Sequence, residues 1–286
     1  TTGSPAGSQG DAFVEEVLST SFIDLLYNRL TLTTAGASSF TGLVGDLSFP
    51  KFEDDTTEVT VKAETADATQ LQPKTSLIEL SAKRLPAYVE ITRQLMVQNN
   101  VSIEAWIRNY LATRLAIAWE KSAFDTIFAN GDVNVVDFTA ADGDVLNFAK
   151  VVEFETKVDQ SNALQNNLHY ITNPKVRGQL KTTEKFSGSN GMPIWGDNNE
   201  MNGYLSLVTN NIPSNFEKGS SGETLSGMIF ANWADLYLAQ FDGLDLTVNE
   251  ASKDIQGIVR LVAAIYKDEA VARDASFTIC KEIKTD

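Results

Sequence analysis

The chain has 286 residues, 43% of them hydrophobic and 21% charged, enough apolar material for one large domain or two smaller ones. Thirty-eight acidic residues against 23 basic ones give a formal net charge of −15. That balance argues against sequence-reading contacts to nucleic acid and against docking on anionic membrane, both of which need a basic footprint. It leaves open a protein that encloses nucleic acid without gripping it.

Residues 1–11 are small and polar and read as a flexible arm. Residues 11–29 then predict a helix: Phe13, Val14, Val17, Leu18 and Phe22 recur at three- and four-residue steps, with Asp11 as its cap. Residues 58–62 alternate polar and apolar as a half-buried strand does, and 76–80 read as the return strand. The polar stretch 63–75 between them completes a long hairpin, acidic at its start through Glu53, Asp54, Asp55 and Glu58. An isolated two-stranded ribbon is marginal in water, so this one needs partners from elsewhere in the chain or from another copy.

A strand follows over 83–92, with Tyr88 and Glu90 on one face and Val89 and Ile91 on the other. Residues 102–129 predict a rod of roughly 40 Å at about 1.5 Å per residue, capped by Ser102 and stopped by Gly131. Its apolar side carries Ile103, Ile107, Tyr110, Ile117, Phe124 and Phe128, with Trp106, Leu111 and Ala118 beside them. The second half alternates: a helix over 145–158 capped by Asp144, a strand over 168–172, and a helix opened by Asn173-Pro174. Strands are expected at 204–208, 244–249, 258–266 and 277–283, and 228–239 is apolar around Trp233. The mixture is α+β, without an internal repeat.

Signals for chemistry are sparse. His169 is the sole histidine and sits between Leu168 and Tyr170 in a strand, where a structural role outweighs that of a catalytic base. Cys280 is the sole cysteine, so no internal disulfide forms, and cytosolic synthesis is the simplest reading. It reads as a small packed residue. One Cys and one His exclude the usual zinc sites within one chain. Asp54-Asp55 and Asp142-Gly143-Asp144 lack the spacing of a calcium loop. Neither a phosphate-binding glycine loop nor a Gly-x-Ser-x-Gly elbow is present. No catalytic, cofactor or metal residue is therefore assigned. No apolar run reaches the roughly 18 residues of a membrane span, and no secretory leader is read at the start. Thr1 in place of Met fits either a boundary of the expressed segment or proteolytic maturation.

The order of elements, more than any single motif, carries a resemblance. Leu71-Gln72-Pro73-Lys74 with residues 77–80, the stretch 87–96, Tyr170-Ile171-Thr172-Asn173-Pro174, Phe230-Ala231-Asn232-Trp233 and residues 260–274 follow one another as in a known family. From about Phe40 onward the chain resembles the major capsid proteins of tailed bacteriophages, with the Hong Kong ninety-seven type of shell fold. The resemblance implies an N-terminal arm (1–40), an extended hairpin or E-loop (41–81), a peripheral domain (82–144 and 240–286) with a long spine helix, and an axial domain (145–239). The strands near 244–249 and 277–283 would both return to the peripheral domain. It further implies pentamers and hexamers tiling an icosahedral virion shell around double-stranded DNA, assembled in the host cytoplasm. Inter-subunit contacts would fall at Phe52, Glu58, Val61, Lys62, Lys74 and Arg84, and arm contacts at Phe13 and Val17.

Expected partners are further copies, a scaffolding segment, a maturation protease, a portal and decoration proteins, with neither cofactor nor membrane. Some family members cross-link through a hairpin lysine; Gln72 stands at that position here, so a non-covalent shell is expected. The acid excess is expected to repel packaged DNA and keep it mobile. Other readings are an encapsulin-type compartment enclosing protein, an acidic hydrolase using two carboxylates, and a secreted adhesin or surface-layer protein.

Overall fold

The computed structural model describes residues 31–53, 59–98, 103–163, 167–186, 188 and 191–285. The predicted arm helix with Phe13 and Val17, the acids Asp54, Asp55 and Glu58, and the Ser102 cap lie outside the described residues.

The described chain opens with a single turn, α1 (Leu32–Ala35), closed by Gly36 in the left-handed conformation at φ 87°. Strand β1 (Ser38–Phe40) follows, then the hairpin of β2 (Leu47–Glu53) and β3 (Lys74–Leu80). These two pair antiparallel from Leu47↔Leu80 to Glu53↔Lys74. The outgoing strand is thus 47–53, not 58–62 as the alternation predicts. Residues 59–62 join no ladder, and Val61 is fully exposed. Their alternation matches a strand, but no described strand runs beside them. Pro50 hides the true strand from a propensity reading. It is tolerated because a two-stranded ribbon has free edges that need no donor.

Strand β4 (Lys83–Thr92) runs as predicted and leads through α2 (Arg93–Gln98) to the rod α3 (Ile103–Ala129). The buried stripe of α3 is Ile107, Leu111, Leu115, Ala123, Phe124, Ile127 and Phe128. Ile117, expected on this face, is half-buried, and Leu115 is buried; Ile107, Leu111 and Leu115 pack in one cluster and Ala123, Phe124, Ile127 and Phe128 in another.

After β5 (Asn134–Val135), helix α4 (Phe148–Gln160) is capped by Asn147, whose side chain accepts from Lys150 N at 2.9 Å. Asp144, the predicted cap, instead bridges to Ile283. Strand β6 (Leu168–Thr172) enters α5 (Pro174–Thr182) through Asn173, which accepts from Val176 N at 3.0 Å. Then come β7 (Glu200–Met201), β8 (Tyr204–Val208), β9 (Ser226–Asn232), β10 (Leu236–Gln240), β11 (Asp245–Asn249), β12 (Ile258–Val271) and β13 (Phe277–Ile283).

These strands form two larger sheets. In the five-stranded one, β12 is the axis. It pairs with β4 along one edge and with β11 and then β10 along the other, while β1 adds parallel to β10. Its Val259, Leu261, Ala263 and Ile265 pack with Ile107, Leu111 and Leu115 of α3. The six-stranded sheet runs β5-β13-β9-β6-β8-β7. Strand β13 therefore pairs on one side with β5, within residues 82–144, and on the other with β9, within residues 145–239. The central β9 is buried at all seven positions. One face of this sheet meets α4 and α5 around Phe154, Tyr170 and Phe230. The other meets the C-terminal end of α3 around Phe124, Trp233 and Phe277. The rod spans both cores and joins the sheets into one framework.

Candidate assembly surface

The hairpin leaves the framework at a fixed root. Leu80, Ala239 and Phe241 are buried there with Leu47, Phe49, Tyr237 and Tyr266 around them. The rings of Phe40, Phe49 and Tyr237 meet pairwise at 5.0–5.3 Å. Polar anchors flank this cluster. Asp268 of β12 accepts from Ser81 N at 2.9 Å and from Lys83 Nζ at 2.6 Å. Lys51 of β2 reaches Asp274 at 3.0 Å, and the Asn130 amide at the end of α3 donates to the same carboxylate at 2.7 Å. Burial pushes the Asp274 carboxyl up, but the Asn130 and Lys51 donors outweigh it and hold it below the ordinary range.

Beyond the root the ribbon is bare. Phe52 is 78% exposed and Leu77 62% exposed, and Val59, Val61 and Leu71 are also exposed. Such a row of apolar side chains on a projecting ribbon stays uncovered by the described residues and marks an interaction surface. Of the residues expected to make contacts, Phe52, Val61, Lys62 and Lys74 lie on this hairpin and are exposed. Phe52 and Lys74 are near neighbours across the ladder, through Phe52↔Thr75 and Glu53↔Lys74. Arg84 is exposed in β4, on the far side of the root, and stands opposite Tyr266. The fold does not bring it to the tip.

A second junction joins the start of the described chain to the rod. Glu120 of α3 is buried, and accepts from Leu32 N at 2.9 Å, from Thr31 Oγ1 at 3.0 Å, and from Thr31 N and Asn211 Nδ2. Sequence offers no means of choosing Glu120 from 38 acids; its i,i+4 neighbours Phe124 and Ala116 are the only hint that it faces inward. Further along, Lys267 and Glu269 form a buried pair at 2.8 Å, with the Ser122 hydroxyl between β12 and α3 donating to Glu269 at 2.6 Å.

Burial pushes the Cys280 thiol up to about 12. Burial likewise pushes the His169 imidazole down, against an opposing bond to the Leu205 backbone. Asp142 accepts from Ser220 N and Oγ at 2.8 and 2.9 Å, which pins a loop and holds its carboxyl below the ordinary range. Among the described residues no group of three or more His, Cys, Asp and Glu is placed to hold a metal. No described helix is long and apolar enough to cross a membrane.

A projecting ribbon, a sheet backed by a long rod, and a second sheet flanked by helices define the Hong Kong ninety-seven type of shell fold. Solved structures share it. The capsid of a native GTA particle superposes with a TM-score of 0.74 over 99% of this chain and 100% of that one, at 18% identity. The Gordonia phage Cozz structure gives a TM-score of 0.68 over 95% and 92% at 14% identity. That of Mycobacterium phage Che8 gives 0.68 over 96% and 99% at 12%. Residues 10–281 match the profile of the phage capsid family, and the chain belongs to that family. It is 28% identical over 283 residues to the major capsid protein of Halomonas phage phiHAP-1, covering 96% of this chain and 44% of that protein. The chain thus spans less than half the length of that curated relative.

Proposed function

We propose that this chain is a major capsid protein whose copies assemble as pentamers and hexamers into an icosahedral shell around double-stranded DNA. The observation that carries the reading is the hairpin: its root is locked by Asp268, Asp274 and an aromatic cluster, while Phe52, Val61 and Leu77 beyond it stay exposed. A stiff root with an uncovered apolar blade fits burial on a neighbouring copy. Phe52, Glu58, Val61, Lys62, Lys74 and Arg84 would lie in that contact, and Phe13 and Val17 in a contact made by the arm. Residues 82–144 and 240–286 would form the peripheral part and 145–239 the axial part. In that division β13 bonds across the two parts to β9.

The role is structural, without a catalytic step. A scaffolding segment, a protease, a portal and decoration proteins are the partners such a shell requires, and assembly would take place in the host cytoplasm. The net charge of −15 supports a container wall that does not hold DNA tightly. Negative-stain electron microscopy of the purified chain, beside its sedimentation profile, tests the reading. Closed particles or rings of five and six support it. A compact monomer at every concentration overturns it. Particles holding protein cargo and no nucleic acid would favour the compartment reading.

A further inference from the structure

The acid excess makes assembly a problem of charge. Each copy carries a formal −15, so copies repel unless their contacts set cations against acids. Helix α5 is suited to that. Its nine residues, Pro-Lys-Val-Arg-Gly-Gln-Leu-Lys-Thr, include no acid. Val176 and Leu180 are buried and seat it on the six-stranded sheet. At about 100° per residue, the opposite arc carries Lys175, Arg177, Gly178, Lys181 and Thr182. Lys175, Gly178 and Lys181 are exposed and Arg177 is half-buried. None of these three cations makes an ion pair with a described residue. Lys185, just past the helix, lies 4.4 Å over the Phe148 ring.

Two of these residues work against the helix itself. Lys175 stands in the first turn, where the positive end of the helix dipole disfavours a cation. Gly178 stands mid-helix, where only proline is a poorer former. A Cβ at Gly178 would meet nothing within 4 Å, so no packing constraint requires glycine there. Choices that weaken an element without compensation inside the chain point to a role outside it. Here they leave a bare spot at Gly178, with Lys175 and Lys181 three residues to either side on the same face. A carboxylate-bearing surface can approach the helix closely between the two ammonium groups.

We infer that this face of α5 is a contact surface for an acidic patch on a second copy of the chain. The inference rests on the shell reading above, in which a second copy is the acidic partner at highest local concentration. It assigns to α5 a share in offsetting the mutual repulsion of the subunits, and it makes assembly sensitive to salt through these cations.

The test uses the full chain and its K175E/R177E/K181E variant. Sedimentation velocity across a salt series follows assembly, and circular dichroism and melting follow the fold. Wild-type assembly should weaken with added salt. The variant should need about tenfold more protein to assemble, with an unchanged melt. Lys175→Glu suits the helix dipole and Lys181→Glu in the last turn opposes it, so the unchanged melt is what separates a lost contact from a weakened helix. In a mixture of isotopically light and heavy wild-type copies, carbodiimide should join Lys175 or Lys181 to an Asp or Glu of the other isotope.

A variant that assembles like wild type, with no mixed-isotope product, overturns the inference and leaves the shell reading intact. Salt-sensitive retention of labelled duplex DNA by wild type, lost in the variant while assembly is unchanged, assigns the face to nucleic acid and also overturns it. A wild-type chain that never assembles overturns both.

Discussion

Asp268 and Lys83 meet at 2.6 Å, and the same carboxylate accepts from Ser81 N at 2.9 Å, so one buried side chain pins both ends of the short link between hairpin and sheet. Lys83 is 65% exposed along its side chain, so its ion pair is largely screened. The bond to Ser81 N–H matters more. Asp268→Ala should lower stability by about 1–3 kcal/mol in urea unfolding, because it also strands the buried Glu269 N–H, which donates to Asp268 at 3.0 Å. Assembly should fall further than that loss alone implies, because the hairpin would swing at its root. An assembly defect no larger than that of an equally destabilised core variant would show that root stiffness does not matter.

Glu120 predicts a local unlocking. Glu120→Ala removes the acceptor for the Thr31 and Leu32 N–H groups and should cost about 2–4 kcal/mol. Hydrogen exchange at Leu32 should rise well ahead of exchange in β9. Uniform acceleration across the chain would mean that α1 unfolds only with the whole.

The bare blade of the hairpin separates assembly from folding. Phe52→Ser with Val61→Ser should leave the monomer's stability within about 0.5 kcal/mol, since both side chains are exposed. The same pair should abolish closed particles in electron micrographs. Normal particles would move the hairpin contact away from these two residues.

Cys280 carries a pH expectation. Its thiol is pushed up to about 12 by burial, against an ordinary 9.0. The folded state therefore keeps its proton where the unfolded state loses it. Stability from this group is full below the unfolded pKa and declines as pH rises from about 9 towards 12. Cys280→Ala should flatten that alkaline decline. A disulfide reagent at pH near 8 should label Cys280 only on unfolding; rapid labelling of the native chain would contradict its burial.

Gly227 lies in the buried β9. A Cβ there would stand 2.6 Å from Phe128 Cζ and 2.9 Å from Phe216 Cε2. Gly227→Ala should cost about 1–3 kcal/mol by overpacking. Gly227→Ala with Phe216→Leu should recover part of the loss in thermal melts.

Local rules went furthest where pattern and environment agree. Strand β4 alternates because one face meets α3 while Arg84 and Tyr88 face solvent. The Asn173-Pro174 start of α5 was legible because capping and the N1 proline are properties of neighbouring residues. The outgoing hairpin strand was not: Val59 and Val61 imitate a half-buried strand, while Pro50 disguises a real one. Asn147 displaces Asp144 as cap because Asp144 is held by the end of β13, a partner 139 residues away at Ile283.

By itself the sequence determined the class: a mixed α+β chain with a long rod, a projecting ribbon, strong acidity and scant catalytic residue types, all properties of short-range pattern and total charge. Only the tertiary structure decided that β12 is an axis shared by β4, β10 and β11, and that β13 belongs beside β9. It also decided that Glu120 and Asp268, two acids among 38, are buried junctions. The physical reason is range. Strand partners and carboxylate burial depend on segments far apart in the chain, and no local periodicity records which of them meet.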